Sequence, residues 1–158
     1  MSLEIARAHL AAHGRAEDIV VTTESSATVE LAAAALGVEP ARIAKTLSFR
    51  GPEPDTAVLV VMAGDARLDN SAFKREFGLK ASMLKGDDVE RLTGHEPGGV
   101  CPFGNPDSAT VYLDTSMRRF PSVFPACGTG NSAIELTCEE LEKVTDGAPW
   151  VTVSKLPE

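Results

Sequence analysis

Residues Thr56 to Ala63 read Thr-Ala-Val-Leu-Val-Val-Met-Ala, and nearly every one of them is apolar. A strand with one face in water alternates apolar and polar residues, so a continuous apolar run is typical of a strand that is covered on both faces. A Gly-Pro-Glu-Pro turn that ends at Asp55 precedes it. We therefore expect Thr56–Ala63 to be the central strand of a sheet.

A second strand is predicted just before this one, at Ile43–Arg50. Strand alternation places Lys45 on the apolar face of this strand, together with Leu47 and Phe49. An ammonium group on an inward face is costly unless it has a partner or opens onto a cavity. Lys45 therefore either lies at the floor of a pocket, or precedes a strand that begins only at Thr46 and lies in solvent. Alternation alone favours neither interpretation.

The remaining pattern predicts short helices and short strands. The predicted helices are Ser2–His13, Ala27–Leu36, a helix capped by Asn70 that pairs Phe73 with Phe77, Asp87–Thr93, and a helix from the capping box at Thr137 to Thr145. The predicted strands are Asp18–Thr22, Thr110–Asp114, Ser122–Ala126, Ala133–Leu136 and Trp150–Val153. Several consecutive strands late in the chain favour an α+β fold, with surrounding helices and a mixed, curled, barrel-like sheet, over a doubly wound parallel one.

Length and composition indicate one globular domain that spans residues 1–158. No run approaches the roughly 20 apolar residues that a membrane span requires, and the N-terminus lacks the apolar core of a secretory signal, so we expect no membrane contact and a cytoplasmic location. Three cysteines without a CxxC spacing argue against a disulfide framework and a cysteine zinc site. His9 and His13 have the spacing of a helical ligand pair, but no nearby acid or cysteine completes a set, so no metal is expected.

The net charge of −8 disfavours broad, non-specific binding to nucleic acids, which depends on phosphate neutralisation by Lys and Arg. A nucleic-acid partner therefore needs a local basic patch. The best candidate is the cluster Lys74, Arg75, Lys80 and Lys85 on and after one short helix. A solvated helix face is the alternative explanation of this cluster.

Two glycine-rich segments are candidate binding loops. The first is Gly98-Gly99-Val100-Cys101-Pro102-Phe103-Gly104, a tight turn whose backbone can approach a ligand closely. The second is Gly128-Thr129-Gly130-Asn131-Ser132, which lacks the Gly-Lys-Ser/Thr ending of a phosphate loop and is not followed directly by a helix. Without further information, the first segment could equally be an ordinary connecting turn, and the second is not expected to bind a nucleotide.

Cys101 invites a comparison with cysteine hydrolases, since a thiol in a tight loop is nucleophilic when a base lowers its pKa. His95 is the one local base, and no acid or amide with a recognisable spacing orients it. A cysteine before proline in an apolar loop is more often a small packing residue. No Gly-x-Ser-x-Gly motif supports a serine hydrolase either.

Four motifs together carry a resemblance to a known family. Ala44-Lys45-Thr46, Gly98 through Gly104, Tyr112-Leu113-Asp114 and Gly128 through Leu136 resemble, in order and spacing, those of the YbaK/EbsC-type aminoacyl-tRNA deacylases. These proteins are free-standing relatives of the editing domain inserted in bacterial prolyl-tRNA synthetases. The resemblance covers roughly Val20 to Val153.

The resemblance implies hydrolysis of the ester between a wrong amino acid and the 3′ end of a tRNA, with no cofactor, metal or protein nucleophile. It implies that Lys45 binds and polarises the substrate end, that Gly98 and Gly99 present backbone amides to the ester, and that water or a substrate group attacks. The substrate-binding residues it implies are Thr28, Thr46, Pro102, Gly128, Gly130 and Asn131. Several relatives carry a histidine or an acid near positions 131–133, where this chain has Asn-Ser-Ala.

The expected function is trans-editing in support of translation fidelity. The expected substrate is the acceptor end of a misacylated tRNA that carries a small amino acid such as alanine or cysteine, with tRNA-Pro foremost, and a synthetase is a candidate second partner. The competing hypotheses are a non-catalytic module that binds an aminoacyl-tRNA or an amino-acid-like ligand, and a thiol hydrolase built on Cys101.

Overall fold

The computed structural model describes residues 2–23 and 28–157. In these ranges the α-helices are Ser2–Ala11 (α1), Val29–Leu36 (α2), Asn70–Phe77 (α3), Asp87–Thr93 (α4) and Cys138–Val144 (α5). The strands are Val20–Val21 (β1), Ile43–Arg50 (β2), Ala57–Ala63 (β3), Arg67–Leu68 (β4), Ala109–Asp114 (β5), Phe124–Pro125 (β6), Ser132–Ala133 (β7), Trp150–Val151 (β8) and Ser154–Lys155 (β9). Short 3-10 helices lie at Ala16–Asp18, Pro40–Arg42 and Thr115–Arg119.

A five-stranded mixed sheet, in the order β6-β2-β3-β5-β8, organises the molecule. The β2–β3 pair is antiparallel, whereas β6, β5 and β8 each pair in parallel with their neighbour. Two further two-stranded sheets are formed by β1 with β7 and by β4 with β9. The expected α+β fold with a mixed sheet and surrounding helices is confirmed.

The central strand is β3, as the apolar run predicts. It starts at Ala57, one residue later than expected, and every residue of it is buried. Its side chains enter two packed regions because β3 has β2 on one side and β5 on the other. Val60 and Met62 join the main core, and Ala57 packs in a smaller cluster with Leu84 and Leu92.

Helix α3 covers one part of the main core through a row of aromatic rings. Phe73 lies between Phe49 of β2 and Phe77, with ring centroids 4.6 Å apart in both pairs, and Phe77 meets Tyr112 of β5 at 4.8 Å. The predicted Phe73–Phe77 pair is therefore confirmed. Such ring pairs stabilise a core beyond the area that they bury.

Two helix ends differ from the sequence prediction. Asn70 is the first residue of α3 and not its cap, because the extended residue before it, Asp69, accepts the Ala72 N–H (3.1 Å). Helix α1 ends at Ala11, before the predicted His13, because the chain turns there and the Arg15 N–H donates to the Leu10 carbonyl. The predicted start of α2 at Ala27 lies outside the described residues.

The late strands are shorter than predicted. Regular strand pairing in this region is limited to Phe124–Pro125 and Ser132–Ala133. Isolated β-bridges, such as that between Val123 and Leu136, connect the neighbouring residues of the predicted strands. Prolines at 121 and 125 lack the N–H that a longer ladder needs. Among the described residues, no helix has the length and apolar character to cross a bilayer.

Candidate active site

The candidate site lies on the outer edge of β2. On the inner edge, β3 pairs with β2 from residue 44 to residue 50. On the outer edge, β6 pairs only with the first two residues of β2. At the far end, the Leu84 N–H donates to the Ser48 carbonyl (3.0 Å), and the Arg50 N–H donates to the Ser82 carbonyl (2.8 Å). These two partners leave a gap between them.

Thr46 lies opposite this gap. Because main-chain groups alternate along a strand, the N–H and C=O of Thr46 point to the same edge as those of Ser48 and Arg50. No residue in ranges 2–23 and 28–157 bonds them there, and the Thr46 Oγ1 is buried without a partner. A buried polar group left unpaired costs about 1–3 kcal/mol, and such groups are rare. The buried Oγ1, together with two main-chain groups that have no partner in the described ranges, therefore marks a place where a ligand can bind.

The gap opens into a cavity of about 280 Å³. Strand β2, the start of α2, the 83–89 segment, the first glycine loop and the late strands supply its walls: Ile43, Ala44, Lys45, Thr46, Ser48, Thr28, Val29, Ala32, Met83, Leu84, Val89, Gly98, Val100, Phe124, Ala126, Ser132 and Ala133. A mostly apolar wall with a few convergent polar groups is typical of a small-molecule site. The volume lies just below the roughly 300–1,000 Å³ of drug-sized pockets, so it suits a small group such as an aminoacyl moiety.

Lys45 is part of β2, which begins two residues earlier, so the pocket-floor interpretation is the one that the structure bears out. Its Nζ donates to the carbonyls of Ala66 (2.5 Å) and Gly64 (3.2 Å). An ammonium group has three N–H donors, so one remains for a ligand. Burial lowers the pKa of Lys45, and the nearby carboxylates of Asp65 and Glu30 oppose that shift.

The turn that holds Lys45 is a feature that sequence reasoning missed. A Cβ at Gly64 would collide with the Pro40 carbonyl and the Val29 side chain, so only glycine fits between β3 and the segment after α2. Asp65 in the same turn forms a salt bridge with Arg119 (2.5 Å). The glycine that directly follows the buried strand was the available sequence signal.

The two glycines of the first loop differ in their surroundings. Gly98 lines the cavity with φ at +90°, and its N–H has no hydrogen-bond partner among the described residues. The Gly99 N–H donates to the Glu96 carbonyl (3.0 Å), and a Cβ at Gly99 would collide with the Gly128 carbonyl. Gly98 is therefore the position with a free amide at the cavity, whereas Gly99 allows the two glycine loops to touch.

The structure brings four of the predicted site residues to the cavity: Thr28, Lys45, Thr46 and Gly98. The others, Gly99, Pro102, Gly128, Gly130 and Asn131, do not line it. The Thr28 Oγ1 is used as the cap of α2, where it accepts the Leu31 N–H (3.1 Å). The Asn131 amide donates to the Thr22 carbonyl (3.1 Å) and accepts from the Thr129 hydroxyl (2.8 Å), so it holds its own turn to β1.

Cys101 is a packing residue in this structure. It is fully buried, and burial raises the pKa of its thiol to about 12. His95 Nε2 lies 3.4 Å from the thiol and donates to the Phe103 carbonyl (2.7 Å), and burial lowers the pKa of His95. A thiol in these surroundings stays protonated at neutral pH, and it does not line the cavity. The geometry therefore disfavours the thiol hydrolase.

His9 and His13 gain an acid that sequence spacing does not reveal. Asp146 comes within 4.8 Å of both, so the expectation that no acid completes the pair is wrong. His9 is nevertheless not free to bind a metal, because both of its ring nitrogens already form hydrogen bonds. Its Nδ1 accepts the Gly104 N–H (3.0 Å), and its Nε2 donates to the Val144 carbonyl (2.5 Å). Only two groups remain as ligands, which is too few for a structural zinc site.

The chain is similar to proteins of a known family. The chain matches the family described as "Aminoacyl-tRNA editing domain" over residues 23–144. The Bacillus subtilis protein named "Uncharacterized protein YwhH" is 51% identical over 155 residues, which are 98% of each chain. The Enterococcus faecalis protein named "Putative Cys-tRNA(Pro)/Cys-tRNA(Cys) deacylase EbsC" is 30% identical over 126 residues, 79% of this chain and 76% of that one.

A solved structure described as "a putative trans-editing enzyme for prolyl tRNA synthetase" has the same fold. It superposes with a TM-score of 0.86 at 30% identity and covers 98% of this chain and 97% of that chain. The family match extends over well more than half of the sequence. The chain therefore belongs to the aminoacyl-tRNA editing domain family, which confirms the family and the class of enzyme, an aminoacyl-tRNA deacylase, expected from the sequence.

Proposed function

We propose that this chain, acting as one domain over residues 1–158, is a trans-editing enzyme that removes a small, wrongly attached amino acid from a tRNA. The proposed substrates are alanine or cysteine on tRNA-Pro. The observation that carries the proposal is the gap at Thr46, where unpaired backbone groups meet the Lys45 ammonium group and the free Gly98 amide in one small cavity. The names of the relatives, which mention Cys-tRNA(Pro) and prolyl-tRNA synthetase, support the choice of tRNA.

The size of the cavity supports a small amino acid. A synthetase cannot strongly exclude a ligand smaller than its own, because one methylene is worth only about 1–3 kcal/mol of discrimination. A second site that admits only small side chains removes such errors. The side chain would lie between Val29 and Ala32 of α2 on one side and Leu84 and Val89 on the other, all of which line the cavity.

Backbone donors supply the main catalytic effect in this proposal. Water adds to the ester carbonyl carbon, and negative charge develops on the carbonyl oxygen. The Gly98 N–H is free to donate to that oxygen. One such donor is typically worth about 2.7–4 kcal/mol of transition-state stabilisation. The tetrahedral intermediate then breaks the bond to the ribose oxygen, which takes up the proton that the water releases, and a free amino acid and tRNA result.

Lys45 and Thr46 position the substrate. The third N–H of the Lys45 ammonium group binds an oxygen of the terminal ribose or of the ester, and the lowered pKa makes this group a stronger hydrogen-bond donor. The C=O and Oγ1 of Thr46 accept from the α-ammonium group of the amino acid. The aminoacyl group would thus occupy the place of a missing strand residue beside β2.

The test is a deacylation panel. tRNA-Pro and tRNA-Ala, each charged with alanine, cysteine, serine or threonine, are incubated with the wild type, with Lys45→Ala and with Lys143→Ala, a matched variant of an exposed lysine on α5. We expect hydrolysis of the small amino acids from tRNA-Pro, a loss of at least about 100-fold in Lys45→Ala because positioning and polarisation are lost together, and no change in Lys143→Ala.

Saturable binding of these tRNAs without turnover would contradict the proposal and favour the non-catalytic binding module. At a net charge of −8 we also expect weak binding of free tRNA. A synthetase that delivers the misacylated tRNA is therefore the second partner we propose. Addition of prolyl-tRNA synthetase to the panel should raise the rate at low enzyme concentration.

A further inference from the structure

Two cations lie opposite each other in the small sheet formed by β4 and β9. Arg67 pairs directly with Lys155, and both side chains are exposed. Like charges at directly opposite positions destabilise an antiparallel pair. Neither side chain forms an ion pair with an acid in the described parts of the chain. Asp69 offsets this repulsion in part, since its carboxylate lies near Lys155 without forming a salt bridge with it.

A third cation extends this pair. Asp69, the cap of α3, has a lowered pKa, first because it accepts the Ala72 N–H and further because Lys155 and Arg75 lie close to it. Arg75 is also exposed and has no ion pair among the described residues. Arg67, Arg75 and Lys155 together form what we call the cationic face. Arg75 belongs to the basic cluster that the sequence predicted, and the fold adds the other two.

These three cations, like several other basic residues of this acidic protein, form no salt bridge with a described residue. Five arginines of the chain have a carboxylate partner, namely Arg15, Arg42, Arg50, Arg91 and Arg119. An acidic chain offers many carboxylates, 23 Asp and Glu against 15 Lys and Arg. Arg67 lies opposite Lys155, and Lys155 and Arg75 lie near Asp69, so three cations near one carboxylate leave a local positive potential for an external anion.

The cationic face begins next to the candidate active site. Arg67 directly follows Ala66, whose carbonyl accepts from the Lys45 ammonium group (2.5 Å). Consecutive Cα atoms are about 3.8 Å apart, so the face starts within one residue of the group that would hold the substrate end. A nucleic acid whose 3′ end enters the cavity must continue past its rim, and its phosphates carry one charge per roughly 1.7 Å of duplex.

We infer that the cationic face binds the phosphate backbone of the acceptor stem and so sets the direction in which the tRNA leaves the active site. The inference rests on the proposed function for its partner, an RNA duplex with a single-stranded 3′ end. Contacts of this kind position a nucleic acid and carry no sequence information. The face therefore adds affinity without selecting a particular tRNA.

The experiment compares the double variant Arg67→Gln/Lys155→Gln with Arg7→Gln/Lys143→Gln. The second pair removes one exposed arginine and one exposed lysine from α1 and α5, so it has the same net charge. The first measurement is the binding of an uncharged RNA hairpin, an acceptor stem ending in CCA, at 50 to 200 mM KCl. The second is the hydrolysis of an alanyl ester of adenosine, which carries no phosphate for the face to bind.

We expect the first variant to bind the hairpin at least about fivefold more weakly at 50 mM KCl, and the slope of log affinity against log salt to fall by about 1.4–1.8. Its hydrolysis of the adenosine ester should equal that of the wild type. An equal loss in the Arg7/Lys143 variant, or no loss in either, overturns the inference, as does wild-type binding to anionic lipid vesicles but not to the hairpin.

The two proposals fail in different ways. If the wild type binds the hairpin through the cationic face and hydrolyses no ester, the proposed function is wrong and the RNA surface stands. If the wild type hydrolyses the esters while the Arg67→Gln/Lys155→Gln variant binds the hairpin normally, the inference about this face is wrong and the proposed function stands.

Discussion

Substitution of Thr46 by valine separates stability from activity. Valine keeps the β-branched shape that suits a strand and removes only the hydroxyl, which is buried and has no partner among the described residues. In most proteins the loss of a buried hydroxyl costs stability because a bonded partner is left behind. Here the wild type already bears a cost of about 1–3 kcal/mol for the unpaired group, so Thr46→Val should be as stable as the wild type or more so.

The expected loss of activity in Thr46→Val follows from the charge of the proposed ligand. A hydrogen bond to a charged group contributes about 1.5–3 kcal/mol, and about 1.36 kcal/mol changes a rate tenfold. Loss of the contact between Oγ1 and the α-ammonium group should therefore lower kcat/KM for deacylation by roughly 10- to 150-fold. For a chain of this size, each kcal/mol of added stability raises Tm by about 2–4 °C.

The assay pairs initial rates of alanyl-tRNA-Pro hydrolysis with thermal unfolding of the same samples. Thr93→Val is the control for stability, since the Thr93 hydroxyl is also buried but donates to the Val89 carbonyl (2.6 Å). We expect Tm to fall in Thr93→Val and to stay or rise in Thr46→Val. A clear fall of Tm in Thr46→Val, or an unchanged kcat/KM, would refute the proposal that this hydroxyl is unpaired in the free protein and binds the substrate.

Further predictions concern the first glycine loop, which borders this site, and the Lys45 ammonium group. Gly98→Ala should lower deacylation at least about 100-fold, because φ of +90° is strained for any residue with a Cβ and the free amide would move; full activity would show that this amide is not used. Cys101→Ser should change the deacylation rate less than about threefold, because a thiol with a pKa of about 12 is protonated at neutral pH and is not a nucleophile. A large loss of activity in this variant would instead favour the thiol hydrolase hypothesis. Burial lowers the pKa of Lys45 below 10.5, so the unfolded state binds more protons between the two values, and the contribution of Lys45 to the free energy of unfolding should increase as pH rises through that interval. Deacylation by the wild type, corrected for spontaneous hydrolysis, should fall in the same interval as Lys45 loses its proton, and a rate that does not fall would exclude the ammonium form as the active one.

The two long strands could be predicted from the sequence alone, although alternation left open whether Lys45 lies in a pocket or in solvent. The apolar run at Thr56–Ala63 and the alternation at Ile43–Arg50 predict strands that the structure reproduces within one residue, because side-chain periodicity is a local property of the sequence. The capping box at Thr137 is equally local and is confirmed in full. The resemblance to the editing family was also readable, since it rests on the order of short motifs.

The position of the pocket, and which of the predicted residues line it, depend on tertiary contacts. The gap at Thr46 exists because two segments far away in the chain, 124–125 and 82–84, pair with opposite ends of β2 and stop short of each other. Contacts between remote segments also explain why the Asn131 side chain donates to the Thr22 carbonyl and why Arg67 lies opposite Lys155. Local periodicity records which face of an element is apolar, whereas an unpaired edge depends on which remote segments meet there, and that is settled only when the whole chain packs.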